Sequence, residues 1–213
     1  MAKGLLAVAF VFSLTNADEF HDWYDLEHLP ERQAISGFGA CERWLGADEP
    51  NYAVATYDLE TVGVLESDAY LAVAYDNSSP WTKRMVGQCR RLLRFEGEQL
   101  TPGDGEAPAG AGGLLLNAMN VTPEAEADFN AWYDDEHLPA LGAVPGCLSA
   151  RRYRSTEAGG GTHEYVAIYH LESPDVARSE AWATAASTPW SERVRPHFRD
   201  RLRILSGRYR RSA

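Results

Sequence analysis

Several features that mark common protein classes are scarce in this sequence of 213 residues. Cysteine is rare, and Cys41, Cys89 and Cys147 form no Cys-x-x-Cys pair, which argues against a disulfide framework and a paired-thiol site. No apolar run approaches the ~20 residues of a membrane span. The apolar segment from Gly4 to Phe12 is short and no small-residue cleavage site follows it, so we expect no signal peptide. These absences predict a cytoplasmic protein with reduced thiols.

Basic residues are also fewer than acidic ones. The chain has 20 Lys and Arg against 31 Asp and Glu, a net charge of −11. An acidic surface disfavours nucleic acid and anionic membranes, so we expect a small-molecule substrate, no nucleic-acid partner and no membrane partner. The sequence lacks GxGxxG, P-loop and GxSxG patterns, which disfavours nucleotide cofactors and serine hydrolysis.

A repeated motif is the strongest positive signal. Residues 20–30 read FHDWYDLEHLP and residues 129–139 read FNAWYDDEHLP, so eight of eleven positions are identical at an offset of 109. Matches continue in the same order on both sides of the motif, and a Gly- and Pro-rich stretch at 101–113 separates the copies. The sequence therefore predicts two diverged modules, residues 1–104 and 105–213.

The sequence of each module predicts the element order β-α-β-β-α-β. In the first, strands are expected at Leu5–Phe12, 38–46, 52–59 and 90–97, and helical regions at 16–29 and 64–86. In the second, strands are expected at Leu114–Val121, 147–154, 163–171 and 200–207, a loop at Gly159-Gly160-Gly161, and a second helical region at 175–196. We expect Asn16 to cap the first helix, and Pro30 and Pro139 to end the first helix of each module. The predicted fold class is α+β, with two ferredoxin-like βαββαβ modules packed as a pseudo-symmetric dimeric α/β barrel.

The first helix carries an aromatic stripe with a carboxylate in it. At 100° per residue, Phe20, Trp23 and Tyr24 share one face, Glu27 lies in its middle and His28 at its edge. The second module repeats the pattern with Phe129, Trp132, Tyr133, Glu136 and His137. Because an unpaired buried charge is costly, each glutamate should be paired, have a raised pKa or face a polar cavity. The candidate ion-pair partners are Arg43 and Arg152.

His28 and His137 are the histidines that both modules share, and they are candidate general acids or bases because imidazole titrates near neutral pH. The other candidate catalytic residues are Glu27 and Glu136, to orient the histidine or share its proton, and Tyr24 and Tyr133, to polarise a carbonyl oxygen. The candidate substrate-binding residues are Trp23, Trp132, Asn117, Arg43 and Arg152. In the alternative interpretation the motif only packs and stops the helix, with the histidine as a favourable cation at its end.

Three short segments recur in both modules: His28-Leu29-Pro30, Ser36-Gly37 and Arg43-Trp44 in the first, and His137-Leu138-Pro139, Pro145-Gly146 and Arg151-Arg152-Tyr153 in the second. These segments resemble the dimeric α/β-barrel superfamily, and within it the EthD-like group. The resemblance implies a pocket between sheet and helices into which the first-helix histidine points. Proteins similar to this include muconolactone-type isomerases, cofactor-free monooxygenases, polyketide cyclases and haem enzymes.

Together these observations predict a cofactor-independent enzyme that performs acid/base chemistry, of isomerase or lyase type, on a small apolar aromatic-derived or polyketide-like carbonyl compound. One alternative is a haem-dependent or cofactor-free oxidoreductase or monooxygenase of the same fold, in which His170 or His197 would hold the haem. Another is a non-catalytic protein that binds a small ligand. No metal site is expected, and the chain is either a monomer with an intrachain barrel or a homodimer.

Overall fold

The computed structural model describes residues 2–156 and 162–211, and its strands close into one antiparallel barrel. The predicted loop at Gly159-Gly160-Gly161 lies outside these residues. The strands are β1 (Gly4–Val11), β2 (Phe38–Gly46), β3 (Tyr52–Leu59), β4 (Arg90–Thr101), β5 (Gly113–Val121), β6 (Cys147–Ser155), β7 (Tyr165–Leu171) and β8 (Phe198–Arg208). Their order around the barrel is β1-β3-β2-β8-β5-β7-β6-β4, with β4 pairing back onto β1. The predicted α+β class is confirmed.

Helices cover the outside of the barrel. In the first half they are Ala17–Trp23, a π-helical turn Tyr24–His28, Leu29–Gln33, the 3-10 turns Val62–Glu66 and Tyr75–Asn77, Asp68–Leu71 and Pro80–Gln88. In the second half they are Glu126–Trp132, a π-helical turn Tyr133–His137, Leu138–Gly142, Glu180–Ala186, Pro189–Val194, and the 3-10 turns Pro123–Ala125, Pro174–Arg178 and Arg195–His197. The second helical region of each half is therefore several short pieces, because Ser and Thr caps and prolines interrupt it.

Both faces of β1 are buried, as its continuous apolar sequence predicts. Leu5, Ala7 and Ala9 point into the barrel, where they join a core that both halves build. Leu6, on the opposite face, packs in a separate cluster with Phe20 and the other aromatic residues of the first helix. Each half has such an outer cluster between sheet and helices, and the candidate sites lie there.

The first helix begins as predicted but does not end as predicted. The Asn16 side chain accepts hydrogen bonds from the backbone N–H groups of Asp18 and Glu19, at 2.9 and 3.2 Å. The expectation that Pro30 and Pro139 stop the helices is wrong, since helix continues to Gln33 and Gly142. A π-helical turn precedes each proline and displaces the carbonyls that the proline ring would meet in a regular α-helix.

The turn after each of these helices requires glycine. Gly37 and Gly146 have φ of 90° and 86°, in the left-handed region. A Cβ at Gly37 would approach Val64 Cγ2 to 2.5 Å, and one at Gly146 would approach Val176 Cγ2 to 2.6 Å. The two glycines of the repeated motif therefore hold the same tight turn between the first helix and the next strand.

Candidate functional site

A pocket opens between sheet and helices in each half of the molecule. The first pocket has a volume of about 370 Å³ and the second about 190 Å³. Both lie on the outer face of the barrel, against the π-helical turn that carries the repeated motif. His28 lines the first pocket and His137 lines the second.

Aromatic rings wall the first pocket, and its charged lining residues are cations. Its aromatic lining residues are Phe10, Trp23, Tyr24, Tyr57, Tyr70 and Tyr75, and its cationic ones are Arg32, Lys83, Arg91 and Arg94. No Asp or Glu is among the described residues that line it. The pocket thus suits a flat apolar ligand that carries negative charge.

His28 lies among the aromatic rings of this pocket. Its ring centroid is 4.7 Å from that of Trp23, 5.4 Å from that of Tyr24 and 6.4 Å from that of Tyr57. Its Nδ1 is buried with no hydrogen-bond partner among the described residues. Burial, and then the positive charges of Arg32 and Arg43, lower the pKa of His28 to about 3. The ring is therefore neutral at pH 7 and does not titrate near neutrality as the sequence suggested.

The second pocket has the same plan with different polar groups. The ring of His137 stacks on Trp132 with centroids 4.0 Å apart, and its Nδ1 is likewise buried without a partner in the described chain. Burial, and then Arg195 and Arg201, lower its pKa to about 3. Asn117 lines this pocket, and its buried Oδ1 has no described partner.

Tyr24 and Tyr133 line the two pockets beside the histidines. Their rings meet the imidazoles edge to face, with centroids 5.4 and 5.2 Å apart. Burial raises the pKa of Tyr24 well above its usual range and that of Tyr133 to about 12. Both phenols therefore keep their protons and remain hydrogen-bond donors.

The expected pair between each glutamate and its histidine does not form. Glu27 Oε1 accepts hydrogen bonds from Ser79 Oγ at 2.5 Å and Thr82 Oγ1 at 3.1 Å, and Thr82 Oγ1 accepts one from Trp23 Nε1 at 2.9 Å. In the second half, Glu136 bonds Thr188, whose hydroxyl lies 3.0 Å from Ser191 Oγ, the acceptor of the Trp132 indole. Each glutamate therefore ties its first helix to a later helix of the same half.

The arginines expected to pair with the glutamates or bind substrate lie outside both pockets. Arg43 forms an ion pair with Asp25 at 2.6 Å, and its guanidinium lies 4.3 Å from the ring centre of Tyr24. Arg152 pairs with Asp134 at 3.4 Å and lies 4.6 Å from the ring centre of Tyr133. The expected Arg–Glu pairs are thus wrong, because the aspartate two residues earlier takes the arginine.

The residues of the first pocket that were missed from the sequence include Arg32, Tyr57 and Arg94. Arg32 lies four residues after His28, on the same side of a helix that was expected to have ended at Pro30. The Tyr57 hydroxyl is buried without a described partner, and Tyr57 stands on β3, far from the motif in sequence. The four-residue spacing of His28 and Arg32 was the sequence signal that could have placed Arg32 in this pocket.

The two histidines expected as haem ligands line neither pocket. His170 is fully buried, with Nε2 3.2 Å from Glu42 Oε2 and its ring against Trp44. His197 lies beside Thr122 and Glu124 on the surface. His170 has no exposed surface and lines no described pocket in which a haem could reach it. Across residues 2–156 and 162–211, no group of three or more His, Cys, Asp or Glu side chains could hold a metal ion.

Comparisons with known proteins identify the fold. A family model described as a domain of unknown function (DUF4286) matches residues 115–207, less than half of the chain, and no curated protein matches the sequence. The fold is shared with a candidate monooxygenase from Lactobacillus acidophilus NCFM at 11% identity and a TM-score of 0.62, over 98% of this chain and 94% of that chain. An anthrone oxidase-like protein is similar at 12% identity and a TM-score of 0.66, over 98% and 92% of the two chains. A chlorite dismutase variant from Candidatus Nitrospira defluvii is similar at 13% identity and a TM-score of 0.59, over 98% and 92%.

These neighbours are dimeric α/β-barrel proteins, and the chain has that fold. Identities of this size show the fold alone. No helix in the described ranges is long and apolar enough to cross a membrane.

Proposed function

We propose that this protein is an enzyme in which His28 acts as a general base on a small aromatic or carbonyl compound, without a bound cofactor. The observation that carries the proposal is the neutral imidazole of His28, which lines a cavity of about 370 Å³ and forms no hydrogen bond with a described group. A neutral imidazole with a free ring nitrogen can accept a proton from a bound molecule.

The low basicity of His28 limits which protons it can remove. An acceptor with a pKa of about 3 needs a substrate whose anion is strongly stabilised. A carbon acid activated by both a carbonyl and an aromatic ring, or a hydroxy-aromatic compound, comes closest to this need because its negative charge is delocalised onto oxygen. The buried phenols of Tyr24 and Tyr57 line the same cavity and would stabilise that oxygen.

Return of the proton to another carbon would give an isomerase, and loss of a leaving group would give a lyase. The second candidate is a cofactor-free monooxygenase, which the names of the candidate monooxygenase and the anthrone oxidase-like neighbour favour. There the carbanion formed at a CH2 group would react with dioxygen, to give a carbonyl and one water. Both candidates begin with the same proton transfer.

We further propose that the two halves, residues 1–104 and 105–213, are tandem copies of one EthD-like module and that the first pocket is the active one. Support comes from the repeated element order, the two π-helical turns and the paired histidines. The larger volume and the buried cation of the first pocket favour it over the second.

The experiment is a screen of carbonyl, lactone and hydroxy-aromatic compounds, followed by kinetics of His28→Ala and His137→Ala on any substrate found. We expect His28→Ala to lower kcat by about 100-fold or more, while His137→Ala stays within a few-fold of the unmodified protein. Dioxygen uptake with turnover selects the monooxygenase, and turnover without uptake selects the isomerase or lyase. If both variants are folded and His28→Ala loses less than tenfold, the proposed base is wrong.

A further inference from the structure

Arg32 is a buried cation in the wall of the first pocket and forms no ion pair with a described carboxylate. The residue is only 4% exposed. Its Nη2 donates a hydrogen bond to the Val73 carbonyl at 3.1 Å, and its buried Nη1 has no partner among the described residues. No described carboxylate forms an ion pair with it. The Glu31 carboxylate acts on it only from beyond ion-pair distance. Because an unpaired buried charge is costly, this guanidinium favours an anion from outside the chain.

The guanidinium is held in place before any ligand arrives. It lies 5.1 Å from the ring centre of Tyr70, and the bond to Val73 fixes one of its two terminal nitrogens. Since Arg32 follows His28 by one helical turn, the cation and the imidazole line the same cavity. A fixed arginine fork suits a carboxylate, which it can bind through two parallel hydrogen bonds.

The other charges of the pocket reinforce this preference. Arg94 donates to Tyr75 Oη at 3.0 Å and forms an ion pair with Glu96, so its charge is already balanced. Lys83 and Arg91 are exposed residues at the rim, where water screens them. The net charge of the chain is −11, so most of its surface repels anions. The cationic pocket is a local exception that attracts them.

We infer that the substrate of the first pocket is a small aromatic or unsaturated carboxylate whose carboxylate group binds Arg32. The aromatic part packs against Trp23 and Tyr57, which line the cavity. The inference rests on the proposed function for the chemistry at His28, but binding of the carboxylate is a separate, measurable property.

The second pocket lacks this feature. Leu141 stands four residues after His137, where the first half has Arg32 after His28. The arginines that line the second pocket, Arg195, Arg201 and Arg203, are exposed, whereas Arg32 is buried. Besides His137 Nδ1, the buried polar atom without a described partner there is the Asn117 Oδ1, an acceptor, which calls for a hydrogen-bond donor and not for an anion.

The test measures binding of benzoate, phenylacetate and cinnamate, and of the three corresponding neutral amides, by calorimetry. The full chain is compared with Arg32→Leu, which copies the second pocket, and with Arg32→Gln, which keeps a donor but no charge. Arg203→Leu is the matched control in the second pocket. We expect at least one carboxylate to bind the unmodified protein tenfold or more tightly than its amide. Both Arg32 variants should lose that preference and keep the weak amide binding, and Arg203→Leu should retain the preference.

Thermal unfolding of the ligand-free variants separates binding from a structural role. Removal of an unpaired buried charge should leave Tm unchanged or raise it, whereas removal of a structural arginine should lower it. His28→Ala should retain the preference for the carboxylate, so a failure of the proposed base is distinguishable from a failure of this inference. The inference is overturned if no carboxylate is preferred over its amide, if the preference survives in a folded Arg32 variant, or if Arg203→Leu removes it.

Discussion

At the scale of single residues, the electrostatics of the first pocket depend on two neighbouring basic groups, of which only one carries a charge. His28 is neutral because it is buried and because Arg32 lies close to it. Arg32 is itself buried and has no described anionic partner. An anion bound to Arg32 would cancel the charge that disfavours imidazolium, and would therefore make His28 a stronger base when the pocket is occupied. The ligand-free pocket is thus primed electrostatically for a negatively charged molecule.

The lowered pKa of His28 predicts how the stability of the protein depends on pH. The ring is neutral in the folded protein down to about pH 3, whereas in the unfolded chain it binds a proton below its ordinary pKa of 6.5. The unfolded state then binds more protons, so this contribution to stability is fully present above pH 6.5 and is lost as pH falls towards 3. Between pH 7 and pH 5 we expect His28 to lower the free energy of unfolding by about 2 kcal/mol.

Urea unfolding of the unmodified protein and of His28→Gln, each at pH 7 and pH 5, measures this contribution. The carboxylates contribute equally to both proteins, so the difference between the two pH dependences isolates the histidine. Equal pH dependences would mean that His28 has the same pKa in the folded and the unfolded protein.

At the scale of elements, the pocket wall is positioned by the π-helical turn and by the hydrogen bonds that Ser79 and Thr82 donate to Glu27. The wide turn lets the first helix continue past Pro30, which brings Arg32 beneath His28. The bond from the Trp23 indole to Thr82, and from Thr82 to Glu27, joins this helix to Pro80–Gln88. The glutamate in the aromatic stripe is therefore a link between helices, and its cost of burial is offset by two hydroxyl donors.

Thr82→Val should destabilise the protein, because it leaves the fully buried indole N–H of Trp23 without an acceptor. We expect a loss of about 1–3 kcal/mol in the free energy of unfolding. Thr82→Ser keeps the hydroxyl and should lose less than half of that amount, since Ser191 accepts the indole bond in the second half. Thermal and urea unfolding compare the three proteins. A similar loss in the serine and valine variants would show that the methyl group, and not the hydrogen bond, supplies the stability.

At the scale of the whole molecule, acidic residues of the first half lie against basic residues of the second half at equivalent positions. Glu42 and Asp58 of the first half correspond to Arg151 and His170 of the second, at offsets of 109 and 112 residues. Arg151 bonds Asp58 at 2.7 Å, and His170 lies 3.2 Å from Glu42. Acids in one half thus face bases in the other. Two copies of the first half alone would bring the carboxylates of Glu42 and Asp58 together, so the arrangement favours pairing of unlike halves.

Removal of one member of such a pair should be costly. Arg151→Met leaves Asp58 without its ion-pair partner, and we expect the free energy of unfolding to fall by about 3 kcal/mol. Arg151→Met with Asp58→Leu should recover most of the loss, because no charge is then left unpaired. Arg178→Ala, in an exposed pair with Asp48, is the control and should cost less than about 1 kcal/mol. Urea unfolding would measure these values. If the two single losses simply add in the double variant, Asp58 and Arg151 are not directly coupled.

The pattern of the chain was enough to predict strands, caps and the position of the histidines. Residues on both faces of β1 are apolar, and this pattern alone predicts that both faces are buried. Asn16 caps its helix through atoms two and three residues away, and such local chemistry needs no knowledge of the fold. The helix expected to end at Pro30 shows the limit, because proline preferences describe a regular α-helix and not one with a π-helical turn.

The sequence by itself determined the α+β class, the two matching series of elements and the pair of motif histidines, because these depend on periodicity and on local contacts. Only the tertiary structure decided which polar groups meet. Arg43 pairs with Asp25 and not with Glu27, and the cation beside His28 is Arg32, since closure of the barrel and the extra turn of helix set those distances. The free energy of a buried charge depends on everything within a few ångströms of it in space, and spacing along the chain does not contain that information.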